Sequence, residues 1–109
     1  MIVVQDAGLK EKLEKVSGDQ RFIAECSAYI VGVVQPDVGY STVDMAIALD
    51  HLSLRAVEVG LGTCWIGDFD PEGIGRILGM PSDRQVTICM TVGYPFEKPR
   101  SRGRRRCAI

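Results

Sequence analysis

Tyr40 to Asp70 reads YSTVDMAIALDHLSLRAVEVGLGTCWIGDFD, and this stretch decides the fold. In its first half Val43, Met45, Ile47, Leu49, Leu52, Leu54, Val57 and Val59, with alanines between them, leave hardly any polar face. A helix apolar nearly all round is expected to be buried on every side. Ser41 or Thr42 can cap its start, and Gly60 can take the left-handed conformation that ends it. Roughly 17 residues at 1.5 Å each give a rod of about 25 Å, enough to cross a small domain. A chain of 109 residues has little of its own to wrap around such a rod. Part of the cover is therefore expected from a second subunit, the alternative being a helix enclosed within one domain.

Outward from this helix, strand-like and helix-like segments alternate. Met1 to Gln5 (MIVVQ) is a β-branched run at the first residue. Asp6 to Val16 offers a helix with Leu9, Leu13 and Val16 on one side and Gly18 as its stop. Phe22, Ile23 and Cys26 suit a short helical turn. Ala28 to Val34 (AYIVGVV) is an apolar run of strand length, closed by Gln35-Pro36-Asp37, and reads as a strand buried on both faces. Leu61 to Ile66 is a short strand, with Trp65 expected in the core. Asp70-Pro71-Glu72 starts a further helix that ends at Gly79. Gln85 to Gly93 is a last strand, with Val86, Ile88, Met90 and Val92 expected on one face against Thr87, Cys89 and Thr91 on the other. The order β-α-β-α-β-α-β predicts a sheet covered by helices.

Composition makes this one domain of ordinary globular type, with 46% hydrophobic and 25% charged residues. The net charge of −1 hides an asymmetry. Of 13 lysines and arginines, six fall within residues 98–109 beside no acid, which leaves seven bases against 14 acids in the rest. The predicted division is thus a core, 1–97, and a basic arm, 98–109. The arm can be a solvated tail, a nucleic-acid contact or a clamp for a phosphate on a small ligand. It carries no aromatic residue to stack on bases and the body is acidic, so no nucleic-acid partner is expected. No apolar run is long enough to cross a membrane and no signal-type segment opens the chain, which predicts a soluble, cytoplasmic protein.

Cys26, Cys64, Cys89 and Cys107 are scattered, and one histidine, His51, cannot complete a metal set. No metal site is expected. The apolar surroundings of Cys26, Cys64 and Cys89 favour buried reduced thiols over disulfides. His51, Asp44 and Asp50 read as core, cap or interface residues rather than as acid–base catalysts. The glycines at 60 and 62, and those at 73, 75 and 79, lack the spacing and the preceding strand of a dinucleotide fingerprint.

The run from Ala56 to Gly67 fits A-x-x-x-G-L-G-T-x-W-I-G, and is followed by Phe69-Asp70-Pro71-Glu72, by Leu78-Gly79-Met80-Pro81, and by Val92-Gly93-Tyr94-Pro95. On these motifs, and on IVVQD, LKEKL and SAYIVGVV in the same order, the chain resembles the nitroreductase family of flavin enzymes. The resemblance implies a three-layer α/β/α sandwich of the α+β kind, with a central sheet and a long buried helix at a homodimer interface that holds FMN. It implies an FMN-dependent oxidoreductase that moves electrons from NAD(P)H through FMN to nitroaromatic, quinone or similar acceptors. Ile66, Gly67 and Asp68 match the stretch that passes the flavin ring and are expected to contribute main-chain contacts. Arg102, Arg104 and Arg105 match the family's basic C-terminal phosphate contacts. No catalytic residue of the protein itself is implied, because the cofactor carries the chemistry. The family's R-R-S-x-R phosphate-binding segment has no counterpart, so the likeness covers about the C-terminal two-thirds of such a chain and the core is expected to be N-terminally truncated. The alternative that follows is a catalytically silent remnant that keeps only the dimerising, binding core.

Overall fold

The computed structural model describes residues 1–95 and Gly103. In chain order they form β1 (Ile2–Val4), α1 (Ala7–Lys15), α2 (Phe22–Glu25), β2 (Ala28–Val34), α3 (Ser41–Glu58), β3 (Gly62–Ile66), α4 (Pro71–Leu78) and β4 (Gln85–Gly93). The strands make one four-stranded sheet in the order β1-β2-β4-β3, and every neighbouring pair is antiparallel. β2 and β3 therefore run the same way with β4 between them. α3 is the crossover that joins them.

Local chemistry explains most element ends. The Asp6 carboxylate accepts from the Leu9 N–H at 2.9 Å and caps α1, while Pro71 opens α4 at a position where its missing N–H costs nothing. α3 stops because Gly60 sits at φ +85°, which lets the Leu61 N–H reach Ala56 O at 2.8 Å and the Gly60 N–H reach Val57 O at 3.1 Å. Two expected caps differ in detail. The N-cap of α3 is Tyr40, and the Ser41 hydroxyl instead donates to Gln35 O at 2.9 Å, fastening the preceding loop. Asp70 occupies the N-cap of α4 without a side-chain cap bond.

Three layers result, with one core on each face of the sheet. On one face Leu13 of α1, Ile23 of α2 and Ile74 of α4 pack against Tyr29, Val31, Ile66 and Cys89 of the sheet. On the other, Leu49 of α3 packs against Ala28, Ile30 and Met90, with Met45 and Leu52 beside it. β2 is accordingly covered on both sides, as its unbroken apolar run requires. The β4 pattern breaks once. Gly32 opposes Ile88 while Val33 opposes Val86, so Thr87 is an extra residue and β4 bulges there. The bulge swings Val86 onto the face of Cys89, in the α1/α2/α4 core, instead of onto the face of Ile88 and Met90.

α3 is not enclosed. Only Leu49 and Ala56 are buried, because the described residues offer this helix a single sheet face and none of them lies over its back. Val43, Ile47, Leu54 and Val57 stand on the side away from the sheet, each at least half exposed.

Candidate functional site

β3 is the sheet's edge strand, so its far side meets no neighbour among the described residues. Its side chains alternate across an incomplete cover. Ile66 is fully buried in the α1/α2/α4 core, whereas Trp65 is 44% exposed and Cys64 is exposed. Trp65 is therefore not the core residue its size suggested, and Cys64 is not a buried thiol. At the edge of a sheet, the residues that would need a further layer or strand to cover them remain open to solvent.

Beyond Ile66 the chain leaves the sheet through Gly67, Asp68, Phe69 and Asp70 into α4. The three residues expected to pass the flavin ring differ in their surroundings here. Ile66 commits its side chain to the core. Gly67 has none, and a Cβ placed there would meet nothing within 4 Å. The Asp68 carboxylate turns to the α1–α2 turn, its Oδ2 lying 2.6 Å from where a Cβ on Gly18 would stand. Ile66 is buried with its main chain, and Gly67 and Asp68, both exposed, offer theirs to open space. A flat aromatic ring can approach such a surface closely, and peptide N–H and C=O groups are the partners it would find there. The residues at this end of β3 fit the ring of a flavin in that sense. Arg102, Arg104 and Arg105 lie outside the described residues.

A turn not singled out by its residue types supports this loop. Gly18 at φ +70° and Asp19 at φ +51° are consecutive left-handed residues between α1 and α2. The Asp70 N–H donates to Val16 O at 2.8 Å, which ties the loop to the turn. Ser17 is completely buried and its hydroxyl meets the Tyr29 hydroxyl at 2.9 Å. The sequence signal was Ser-Gly-Asp directly after a helix, two residue types that tolerate left-handed backbone in succession. It reads locally as a helix stop and no more.

The core holds a tyrosine hydroxyl and thiols that burial keeps protonated. Burial pushes the Tyr29 hydroxyl far above its usual value, with the nearby Cys89 thiol adding to the effect and Ser17 opposing it. Burial raises the Cys89 thiol to about 11, and it also raises Cys26, whose thiol donates to Ile23 O at 3.0 Å and Ala28 O at 3.2 Å. These thiols stay protonated at neutral pH and are not nucleophiles. Lys10, also buried, donates to Cys26 O. His51, Asp44 and Asp50 are all exposed on α3.

The chain has clear relatives. A family model described as Nitroreductase family matches residues 3–94. A protein of Archaeoglobus fulgidus, named provisionally as an NADH dehydrogenase/NAD(P)H nitroreductase, is 26% identical over 106 residues, covering 89% of this chain and 61% of that one. A protein of Methanothermobacter thermautotrophicus with the same name is 27% identical over 109 residues, covering 93% of this chain and 57% of its own. The chain thus spans about three fifths of the length of these curated relatives. Among solved structures, an FMN-dependent nitroreductase from Clostridium difficile superposes with a TM-score of 0.82 at 24% identity, over 94% of this chain and 66% of that one. The NADPH:FMN oxidoreductase of Vibrio harveyi, complexed with NAD+, gives 0.84 at 23% identity, over 94% and 53%. The three-layer architecture of α3, the sheet and the remaining helices is the fold these proteins share. Among the described residues, no helix is long and apolar enough to cross a membrane.

Proposed function

The chain belongs to the nitroreductase family, and from that premise we propose that it is the flavin-holding core of an FMN-dependent oxidoreductase that works as a homodimer. It would pass electrons from NAD(P)H to nitroaromatic, quinone or similar small acceptors. The observation that carries this reading is the exposed main chain at Gly67 and Asp68, directly after buried Ile66 at the end of an uncovered edge strand. When bound, FMN supplies the exchange of hydride and electrons between donor and acceptor. The protein's part is to hold, orient and dry the ring. Ile66 anchors the loop in the core, Gly67 permits close approach, and the exposed peptide groups of Gly67 and Asp68 give the ring's polar edge uncharged partners.

Arg102, Arg104 and Arg105 are proposed to bind the phosphate. Pro95 stands beside Gly62 at the opposite end of β3, its Cβ 3.6 Å from where a Gly62 Cβ would be. Five residues of strand separate that point from Gly67 by about 16 Å. The seven residues from Pro95 to Arg102, when extended, span up to about 23 Å. The arm is long enough to bring its arginines toward the loop.

Dimerisation is proposed on the α3 stripe. Val43, Ile47, Leu54 and Val57, with Tyr40 and Trp65 near the ends of the helix and strand, make an exposed apolar surface beyond the scatter usual on a monomer. A second copy of the same stripe is a self-complementary cover.

The test is a flavin titration of the purified chain, followed by NAD(P)H oxidation on adding a nitroaromatic or a quinone. Uptake of FMN with a yellow spectrum supports the proposal, and the Arg104→Ala, Arg105→Ala pair should weaken uptake without altering assembly. A protein that dimerises yet is colourless once excess FMN has been removed would overturn the flavin assignment and favour the silent binding core.

A further inference from the structure

We infer that the turn between α1 and α2 is the positioning element for the main-chain surface at Gly67 and Asp68, with Gly18 and Asp68 as its working contact and the Ser17–Tyr29 pair as its anchor. The inference rests on the proposed flavin reading of that surface. Three consecutive residues of the turn each make a different tie. Val16 O accepts from the Asp70 N–H at 2.8 Å and fixes the far end of the loop. Ser17, fully buried, is bonded at 2.9 Å to Tyr29, itself fully buried on β2 inside the sheet, so the turn is fastened to the core. Gly18 receives the Asp68 carboxylate in the space where any other residue would carry its side chain.

The last contact has an electrostatic consequence. With the carboxylate laid on Gly18, the only charge borne by residues 66–68 rests against the turn and off the surface that faces outward. A Cβ at position 18 would stand 2.6 Å from Oδ2 and 3.2 Å from Cγ. Because a carboxylate is the far end of a flexible side chain, it would swing aside rather than unfold the loop. A negative charge then moves into the space offered to an anionic cofactor, and the main chain of 67–68 loses its hold. Gly18 and Asp68 are therefore positioning residues: they set the charge and placement of the surface without themselves being its ligands.

A double-substitution cycle on the full chain tests this, with amide resonances of the ligand-free protein, FMN affinity and thermal midpoint as readouts. Gly18→Ala should shift the Gly67 and Asp68 amides and weaken FMN binding roughly tenfold, in the middle of the range for residues in contact. Gly18→Ala should therefore weaken affinity much less in the Asp68→Ala background than in the wild-type chain. The strain of alanine at positive φ is common to both Gly18 variants and cancels in the cycle. Ser17→Ala, which adds no bulk, should shift the same amides by loosening the anchor. The inference is overturned if Gly18→Ala lowers the thermal midpoint while the 66–68 amides stay in place, or if the two substitutions are simply additive. If the wild-type chain takes up no FMN, the flavin reading fails, and the amide shifts still decide whether the turn positions the loop.

Discussion

Truncating Leu54 to alanine separates the dimer from the fold. Leu54 lies on the outward side of α3 and is 64% exposed in the single chain, so it contributes little to the monomer's own core. Full burial of a leucine side chain is worth about 2.5 kcal/mol, so covering the open two-thirds of this one contributes about 1.5 kcal/mol per subunit. A two-fold interface uses the residue twice, which doubles the loss to about 3 kcal/mol and weakens the dimer by about a hundredfold. Sedimentation equilibrium over a concentration series measures this directly, with circular dichroism as the check that α3 still forms. Leu49→Ala is the matched contrast, one turn and a little more away on the same helix. Leu49 is completely buried against the sheet, and its loss should cost about 2–5 kcal/mol of folding stability in each chain by leaving a cavity. A wild-type chain that is monomeric at tens of micromolar, or a Leu54→Ala variant with an unchanged dissociation constant, would refute the reasoning about the stripe.

Two further outcomes follow from the buried polar groups. Tyr29→Phe removes the hydroxyl from the Ser17 pair and leaves a buried hydroxyl unpartnered, which should cost about 1–3 kcal/mol in urea unfolding. Ser17→Ala combined with Tyr29→Phe should cost less than the sum of the single changes, and an additive double variant would show the pair to be uncoupled. The Cys89 thiol, raised by burial from its ordinary 9.0 to about 11, gives a pH dependence of known sign. Below about pH 9 both folded and unfolded chains hold this proton and the stability it contributes is fully present. Between about pH 9 and 11 only the unfolded chain releases it, so stability falls as pH rises, and the fall ends once the folded chain also ionises. Cys89→Ser should flatten that interval in denaturant titrations, and an unchanged slope would assign the loss to other groups.

Most of the secondary structure was legible from residues alone, because caps, prolines and apolar periods act over a few neighbours. Asp6 before LKEKL, Pro71 after Asp70, Gly60 after the long apolar helix and the run AYIVGVV all did locally what their chemistry requires. The motif spanning Ala56 to Gly67 carried the family, and the family implied the layer order. The loop residues 66–68 were named from that resemblance, but not the reason they can serve. That reason is that Ile66 turns its side chain into the core, Gly67 has none and Asp68 turns its own to Gly18, and both directions are set by distant segments.

Pairing and packing decided the rest. Val86 changes face because β4 must register against β2 with one residue to spare at Thr87, and a strict two-residue alternation within β4 contains no sign of it. Trp65 and Cys64 stay open because β3 lies at the edge of the sheet, a place fixed by strand order and not by the strand's own residues. The expectation that α3 is buried on every side met the limit of what one chain can supply, since a helix can be apolar all round while its own domain covers one side. Asp68 rests on Gly18 because two loops far apart in sequence converge at the same end of the sheet. Short-range chemistry wrote the elements and their ends into the amino-acid order. Which faces are covered, and which backbone is left bare for a ligand, depends on segments remote in sequence meeting in space, and so belongs to the folded chain.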